Sequence, residues 1–380
     1  MVRKLFGMKW RVVAISLVVS LAMGMFVTGL YSAVIFDHSM ETYIDETNFP
    51  DLFISLSEPV ERSRAEDLIS SNSNVDKYSL RLKLDGSYFH EGSVYPAVII
   101  GIDDPEREDI NKLLLEDGEL HSGEGEGVVV AGMERIGAKT GKTLTFETGG
   151  NNFNITATGT VQTAEYLFAS SVPDSSLPLP GELVVLYMEI DELRDITGFG
   201  INDILLNVEE GSEEEVAGSL EDLPISSVVY QEDHRSVVFM EIGAGKMRNM
   251  FPMFSVIFMV VGIISIFMTF YRIVMNDSRY IGVLMSLGYT RGEIARAYLS
   301  FGIVLGTIGS VFGLLFGLLF TSGIMSYTIS MIGDIRVAYP LDPIPFLSGL
   351  AFSFGSVLIS VGIPVLIITR KSVRDRKSVV

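Results

Sequence analysis

The chain has no cysteine. Disulfides, thiol nucleophiles, zinc–thiolate sites and iron–sulfur clusters are therefore excluded, and any folded part is held by its core alone. Its four histidines, His38, His90, His121 and His234, match no local metal motif in their spacing. No Gly-x-Ser-x-Gly nucleophile elbow is present. A phosphate loop is missing too. Gly137-Ala-Lys-Thr-Gly-Lys-Thr143 places three residues between its glycines where the motif needs four, and it reads as a β-turn. The acidic run at 103–109 lacks the glycine of a calcium loop. No catalytic group, metal site or bound cofactor is expected in this chain.

Basic residues are scarce in the middle. Residues 37–248 carry 42 acidic and 14 basic side chains, and the remainder carries 5 and 14. The acidic surplus argues against nucleic acid as a partner. An acidic middle between basic flanks is the asymmetry of an oriented membrane protein.

Charge is nearly absent from four long stretches. Residues 12–36 have none and follow Arg3, Lys4, Lys9, Trp10 and Arg11. This run is too long for a signal-peptide core and no small-x-small site follows it, so it reads as a membrane anchor. Residues 251–275 are broken only by Arg272 near one end, which is expected to snorkel to the interface. Two further spans are expected at 297–323 and 344–368, the last with a kink at Pro364. Each is long enough to cross a bilayer. No span has a charge at its centre, which weighs against a proton-coupled carrier or an ion channel. The basic flanks place both termini in the cytoplasm. Three parts follow: residues 1–36 as cytoplasmic N-terminus and first span, 37–250 as an extracytoplasmic domain, and 251–380 as three spans with a connector at 276–296 and a basic tail.

Within 37–250 the patterning is mixed. Strands are predicted at 51–56, 78–84 and 94–102, with a helix at 60–70. A glycine-punctuated β segment follows at 127–131, 143–147 and 153–162. From 183 strands and helices alternate again: strands at 183–188, 203–208 and 226–230, helices near 190–197 and 213–220. The fold class is therefore four transmembrane helices plus an α+β domain with a β-rich insert at about 117–180. A proline-rich stretch at 172–180 reads as the return linker. Residues 234–250 look helical into the next span, although Gly243 and Gly245 each cost about 1 kcal/mol against alanine.

The connector between the second and third spans has its own punctuation. An apolar run including Ile281 and Leu284 ends at Gly288, a helix C′ signal. Thr290, with Glu293 three residues on, reads as a capping box that opens a second helix. The third span then carries Gly302, Gly306, Gly309, Gly313 and Gly317 on one face. That face reads as a tight helix–helix seam, within the chain or between two copies.

Arg279, Ile281-Gly-Val-Leu284 and Leu287-Gly288-Tyr289-Thr290-Arg291, followed by Ile294 and the glycine-rich span, resemble the FtsX-like/MacB-type permeases of ABC transporters. The resemblance implies that this connector is a coupling helix docking on a separate ATPase subunit, which binds the ATP. It also implies a βαβ "porter" part in the external domain. Arg291 and Arg296 would make ionic contacts with the ATPase, Thr290 and Glu293 would shape the helix, and Ile281 and Leu284 would pack it. For the arginines, plain topology signalling is the alternative. The implied protein is a non-catalytic permease in the plasma or inner membrane of a prokaryote, paired with a second or homologous permease in the lipid bilayer. It would move its external domain by mechanotransmission to export or extract a substrate. A second reading is an FtsX-like regulator of an envelope hydrolase or sensor, with a secreted or envelope partner. Some relatives carry two such four-helix units, so the chain reads as a short permease, a split partner or one half.

Overall fold

The computed structural model describes residues 9–121, 123–167, 183–330 and 337–370. The linker expected at 172–180 and most of both basic termini lie outside them. In chain order the elements begin with α1 (Lys9–Thr47), β1 (Leu52–Val60), α2 (Arg62–Ser70), β2 (Val75–His90) and β3 (Ser93–Ile102). Next come β4 (Leu114–Gly118), β5 (Glu126–Val130), β6 (Thr143–Thr148), β7 (Asn151–Gln162) and β8 (Val184–Glu189). Then follow α3 (Ile190–Thr197), β9 (Ile201–Val208), α4 (Glu213–Ser219) and β10 (Ile225–Tyr230). The last four are α5 (Arg235–Asn276), α6 (Ser278–Ser286), α7 (Arg291–Ser330) and α8 (Ile344–Arg370). The chain divides into a helical unit and a sheet unit, and α1 and α5 contribute residues to both.

In the helical unit, α1, α5, α7 and α8 are long and apolar enough to cross a membrane. Their sequences are apolar around the whole helix rather than along one stripe, as a lipid environment requires. The helix of α1 does not stop at Phe36, where its apolar run ends. With no glycine or proline between Gly29 and Pro50, it continues to Thr47. Likewise α5 starts at Arg235 and runs without a break through Gly243, Gly245 and Pro252.

Four hydrogen bonds from hydroxyl groups stitch these helices into a ring. Ser255 Oγ donates to Phe26 O at 3.0 Å, joining α5 to α1, and Thr28 Oγ1 donates to Gly317 O at 3.2 Å, joining α1 to α7. Ser310 Oγ bonds Ser353 Oγ at 2.8 Å between α7 and α8, and Ser360 Oγ donates to Ile263 O at 3.4 Å, returning to α5. Such bonds add about 0.6 kcal/mol each in lipid, but they fix rotation and register.

The sheet unit is built on ten strands in the order β10-β1-β9-β2-β3-β8-β5-β7-β4, with β6 pairing β2 and β7. β1–α2–β2 and β9–α4–β10 interlock as a split βαβ pair: β9 lies between β1 and β2, and β1 between β9 and β10. β3 to β8 form the insertion between the two halves. β2 is shared, since Val75 to Arg81 pair with β9 and Leu82 to His90 pair with β3. One core runs through it, from Ile54 and Ile204 to Val129, Ile155 and Leu186.

The helix expected at 60–70 begins only at Arg62, because Val60 is paired with Ile201 in β1. β4 gave no alternating signal. Its sequence is Leu-Leu-Glu-Asp-Gly and it is held by pairing with β7. Gly137 and Gly141 sit at φ +81° and +77°, and Lys142 N bonds Lys139 O, so this segment is a turn as expected.

Candidate functional site

The connector is two short capped ends around one glycine. α6 closes with Gly288 at φ +94°. Tyr289 N donates to Leu284 O at 3.1 Å and Gly288 N to Met285 O at 3.2 Å, the paired bonds of a Schellman motif. Two residues later α7 opens with a full capping box. Thr290 N and Oγ1 both donate to Glu293 Oε2, at 2.8 and 2.9 Å, and Glu293 N donates back to Thr290 Oγ1 at 3.3 Å. The turn is fixed on both sides.

Its inner and outer faces differ in kind. Ile281 and Ile294 are buried in one cluster with Phe270, Tyr298 and Phe301, and Leu284 packs on its rim. Tyr298 Oη donates to Asp277 Oδ2 at 3.0 Å, tying the start of α7 to the residue before α6. Outward lie Arg279, Arg291 and Arg296, with Leu287 71% and Tyr289 52% exposed. The result is a rigid, basic and apolar knob. Thr290→Ala removes the side-chain half of the cap, a loss of about 1 kcal/mol. Amide hydrogen exchange at residues 291–294 is expected to quicken roughly fivefold.

The five glycines of α7 face two neighbours in succession. A Cβ at Gly302 would lie 2.8 Å from Val361 Cγ2, and one at Gly306 3.5 Å from Val357 Cγ2, both on α8. Gly309, Gly313 and Gly317 face α1: a Cβ would meet Val19 Cγ1 at 2.5 Å, Ser20 O at 3.0 Å and Gly24 O at 3.1 Å. The seam is filled within the chain. Two α1 glycines were not singled out in the sequence: Gly24, which faces Gly313 and Gly317, and Gly29, which faces Phe251 and Ser255. Gly309→Val is expected to destabilise the purified chain by about 1–3 kcal/mol through overpacking, seen as a lowered Tm in detergent.

The sheet unit holds a second constellation that sequence reasoning missed. Arg81, Glu165 and Asp203 are buried together. The Arg81 guanidinium pairs with Asp203 and with Glu165 Oε2 at 2.6 Å, and Lys83 Nζ lies 2.9 Å from Glu165 Oε1. Two cations and two anions balance. Burial alone would raise the Glu165 carboxyl. The charges of Arg81 and Lys83 override it and hold the group well below the usual range. Arg81 and Lys83 alternate with Leu80, Leu82 and Leu84, so their strand face reads as solvated. The missing signal is the 163–167 segment that covers it.

Beside this cluster His234 stacks on Phe53 at 4.4 Å, and burial pushes it down to about 4. His121 is pushed down to about 4 by burial as well. In the unfolded chain both take up a proton near pH 6.5; in the folded chain they stay neutral to about pH 4. Stability therefore falls as pH drops from 6.5 to 4, by about 3 kcal/mol per histidine at most. Glu108, raised by burial to about 6, opposes this by about 2 kcal/mol between pH 4.5 and 6. The net expectation is a lower Tm at pH 4.5 than at pH 7, and a flatter profile for His234→Phe.

Among known proteins, residues 252–373 match the family model described as FtsX-like permease C-terminal. No curated protein matches the chain. Among solved structures, the chain is similar to the periplasmic region of MacB from Actinobacillus actinomycetemcomitans. The identity is 15%, the match covers 54% of this chain and 96% of that one, and the TM-score is 0.33. It is also similar to the extracellular domain of the noncanonic ABC-type transporter YknZ from Gram-positive bacteria. There the identity is 12%, with 45% of this chain and 87% of that one covered and a TM-score of 0.30.

Proposed function

We propose, from the match of residues 252–373 to the FtsX-like permease C-terminal family model, that the chain is the permease subunit of an ABC transporter. The observation that carries this reading is the connector: a helix ended by a Schellman glycine, a capping box, and an exposed apolar and basic face on a buried hydrophobic base. A link with no task beyond joining two spans needs none of that rigidity. In this reading a separate ATPase subunit binds and hydrolyses ATP and grips residues 279–296. Leu287 and Tyr289 enter its groove, and Arg279, Arg291 and Arg296 meet its acidic rim. Ile281, Leu284 and Ile294 pass the push into the cluster at Phe270 and Phe301.

The sheet unit then stands outside the cytoplasmic membrane of a prokaryote, with both termini inside. It moves when α1 and α5 move, and so exports or extracts its substrate. Because the glycine face of α7 is filled by α1 and α8, a second permease copy pairs elsewhere. The exposed apolar residues of α5, such as Met253, Val260 and Ile264, face it or lipid. The test is purification of the tagged chain in mild detergent with mass spectrometry of what accompanies it. An ATPase with a phosphate loop at near one-to-one ratio supports the reading. None, even after crosslinking through residue 291, sinks it.

A further inference from the structure

Glu165 sits where the ends of two long helices meet the sheet. Its carboxylate accepts four donors: Arg81 Nη1 at 2.6 Å, Arg81 Nη2 at 3.2 Å, Lys83 Nζ at 2.9 Å and Asn111 Nδ2 at 2.8 Å. That fills the acceptor capacity of an ionised carboxylate, and a neutral amide cannot replace it. Its main-chain oxygen takes a fifth bond, from Ser236 Oγ at 2.8 Å. Ser236 is the second residue of α5.

The Asn111 side leads to the other helix. α1 closes with Asn48 at φ +47°, with Phe49 N on Ile44 O at 3.1 Å and Asn48 N on Asp45 O at 3.0 Å. Asn111 is also left-handed, at φ +51°. Its N–H donates to Asn48 O at 3.0 Å, and Lys112 N donates to Thr47 O at 2.7 Å. The Asn48 amide donates in turn to Asp109 O. Two non-glycine residues in the left-handed region, bonded to each other at a helix end, form an over-determined joint.

We propose that Glu165 is a positioning residue: through Asn111 it holds the C-terminal end of α1, through Ser236 the N-terminal start of α5, and through Arg81 it fastens both to β2 and β9. A displacement of one long helix is thereby passed to the other and to the sheet. This deepens the mechanotransmission reading and rests on it for its purpose. A competing hold exists. His234 also lies against Phe49 and Phe53, and Gln231 Nε2 donates to Phe49 O at 3.1 Å.

The natural absence of cysteine makes the test direct. Asp45→Cys and Glu241→Cys place spin labels on exposed positions of α1 and α5 in the full chain, reconstituted in nanodiscs, for pulsed dipolar distance measurement. The parent is expected to give one narrow distance. Glu165→Gln is expected to lose it to a broad distribution while the thermal transition stays cooperative. Asn111→Gly keeps the left-handed backbone and its bond to Asn48 O while cutting the segment that holds α1 from Glu165; Ser236→Ala cuts α5 from it. Each is expected to broaden the distance with the ion pairs intact. If Glu165→Gln fails to fold, these two variants decide. A distance that stays narrow in both overturns the proposal and assigns the hold to the aromatic contact. No ATPase is needed for this measurement. Failure of the parent to bring down an ATPase defeats the transporter reading alone.

Discussion

Gly288→Pro is expected to abolish association with the proposed ATPase subunit while leaving the four long helices in the membrane. At φ +94° the glycine occupies a conformation closed to proline, whose ring fixes φ near −65°. Proline also removes the N–H that Gly288 donates to Met285 O. α6 and α7 would then leave the turn in different directions, and the face bearing Leu287, Tyr289 and Arg291 would be scattered. A Cβ at Gly288 meets nothing within 4 Å, so alanine there acts through the backbone alone. A graded series follows. Gly288→Asn is expected to associate nearly as well as the parent. Gly288→Ala loses about 1–2 kcal/mol, roughly tenfold. Gly288→Pro leaves no measurable complex. Arg291→Glu tests charge on the intact turn and is expected to lose the complex with insertion unchanged. Co-purification of the ATPase by all of these variants would mean that the connector is not the docking element.

Arg81→Met carries the largest expected loss of stability. It strands Glu165 and Asp203 in the interior with Lys83 as their one remaining cation in the cluster. Breaking a buried pair from one side costs about 3–5 kcal/mol, because the surviving charge is left without compensation. The pH dependence should also change sign at these carboxylates. In the parent, Glu165 is held below its ordinary range, so its contribution is present above about pH 4.5 and is lost as pH falls further. Without Arg81, burial dominates and raises the carboxyl, so the folded state binds the extra proton and the variant regains stability on acidification. Arg81→Met combined with Glu165→Met and Asp203→Leu is expected to recover most of the loss, because an apolar replacement removes the desolvation cost together with the charges. Thermal unfolding at pH 7 and pH 5 distinguishes the three chains. A single variant as stable as the parent at pH 7 would show that solvent reaches the cluster.

What the sequence exposed, and what it hid, divides along physical lines. The long helices are written in uninterrupted apolar runs. The turn at Gly288 and the cap at Thr290 are legible because each uses a residue type few other positions require. The strand read at 143–147 shows in its alternation. The extension of α1 to Thr47 was hidden because polar residues leave no hydropathy signal where a helix emerges from an apolar environment. β4 was hidden because pairing with β7, not its own sequence, makes it a strand. The cluster at Arg81 was hidden for a third reason. A charge alternating with leucines looks the same whether its strand face meets water or a covering segment. Glu165 comes from a turn more than eighty residues away, and no local pattern joins them.

The place of β1 bears on how the protein is made. Leu52 is paired with Leu206 on one side and with Tyr230 on the other, so the first strand synthesised lies between the last two. Neither neighbour exists until almost the whole segment has been synthesised. Contacts so distant in sequence close slowly, and a strand kept waiting is open to pairing with other chains. β1 carries Glu58 and Pro59 near its end, residues that discourage such pairing. Maturation of the sheet unit is thus set by the arrival of β9 and β10. A ribosome stalled anywhere before Tyr230 should leave a chain that is anchored through α1 but sensitive to protease throughout its strands.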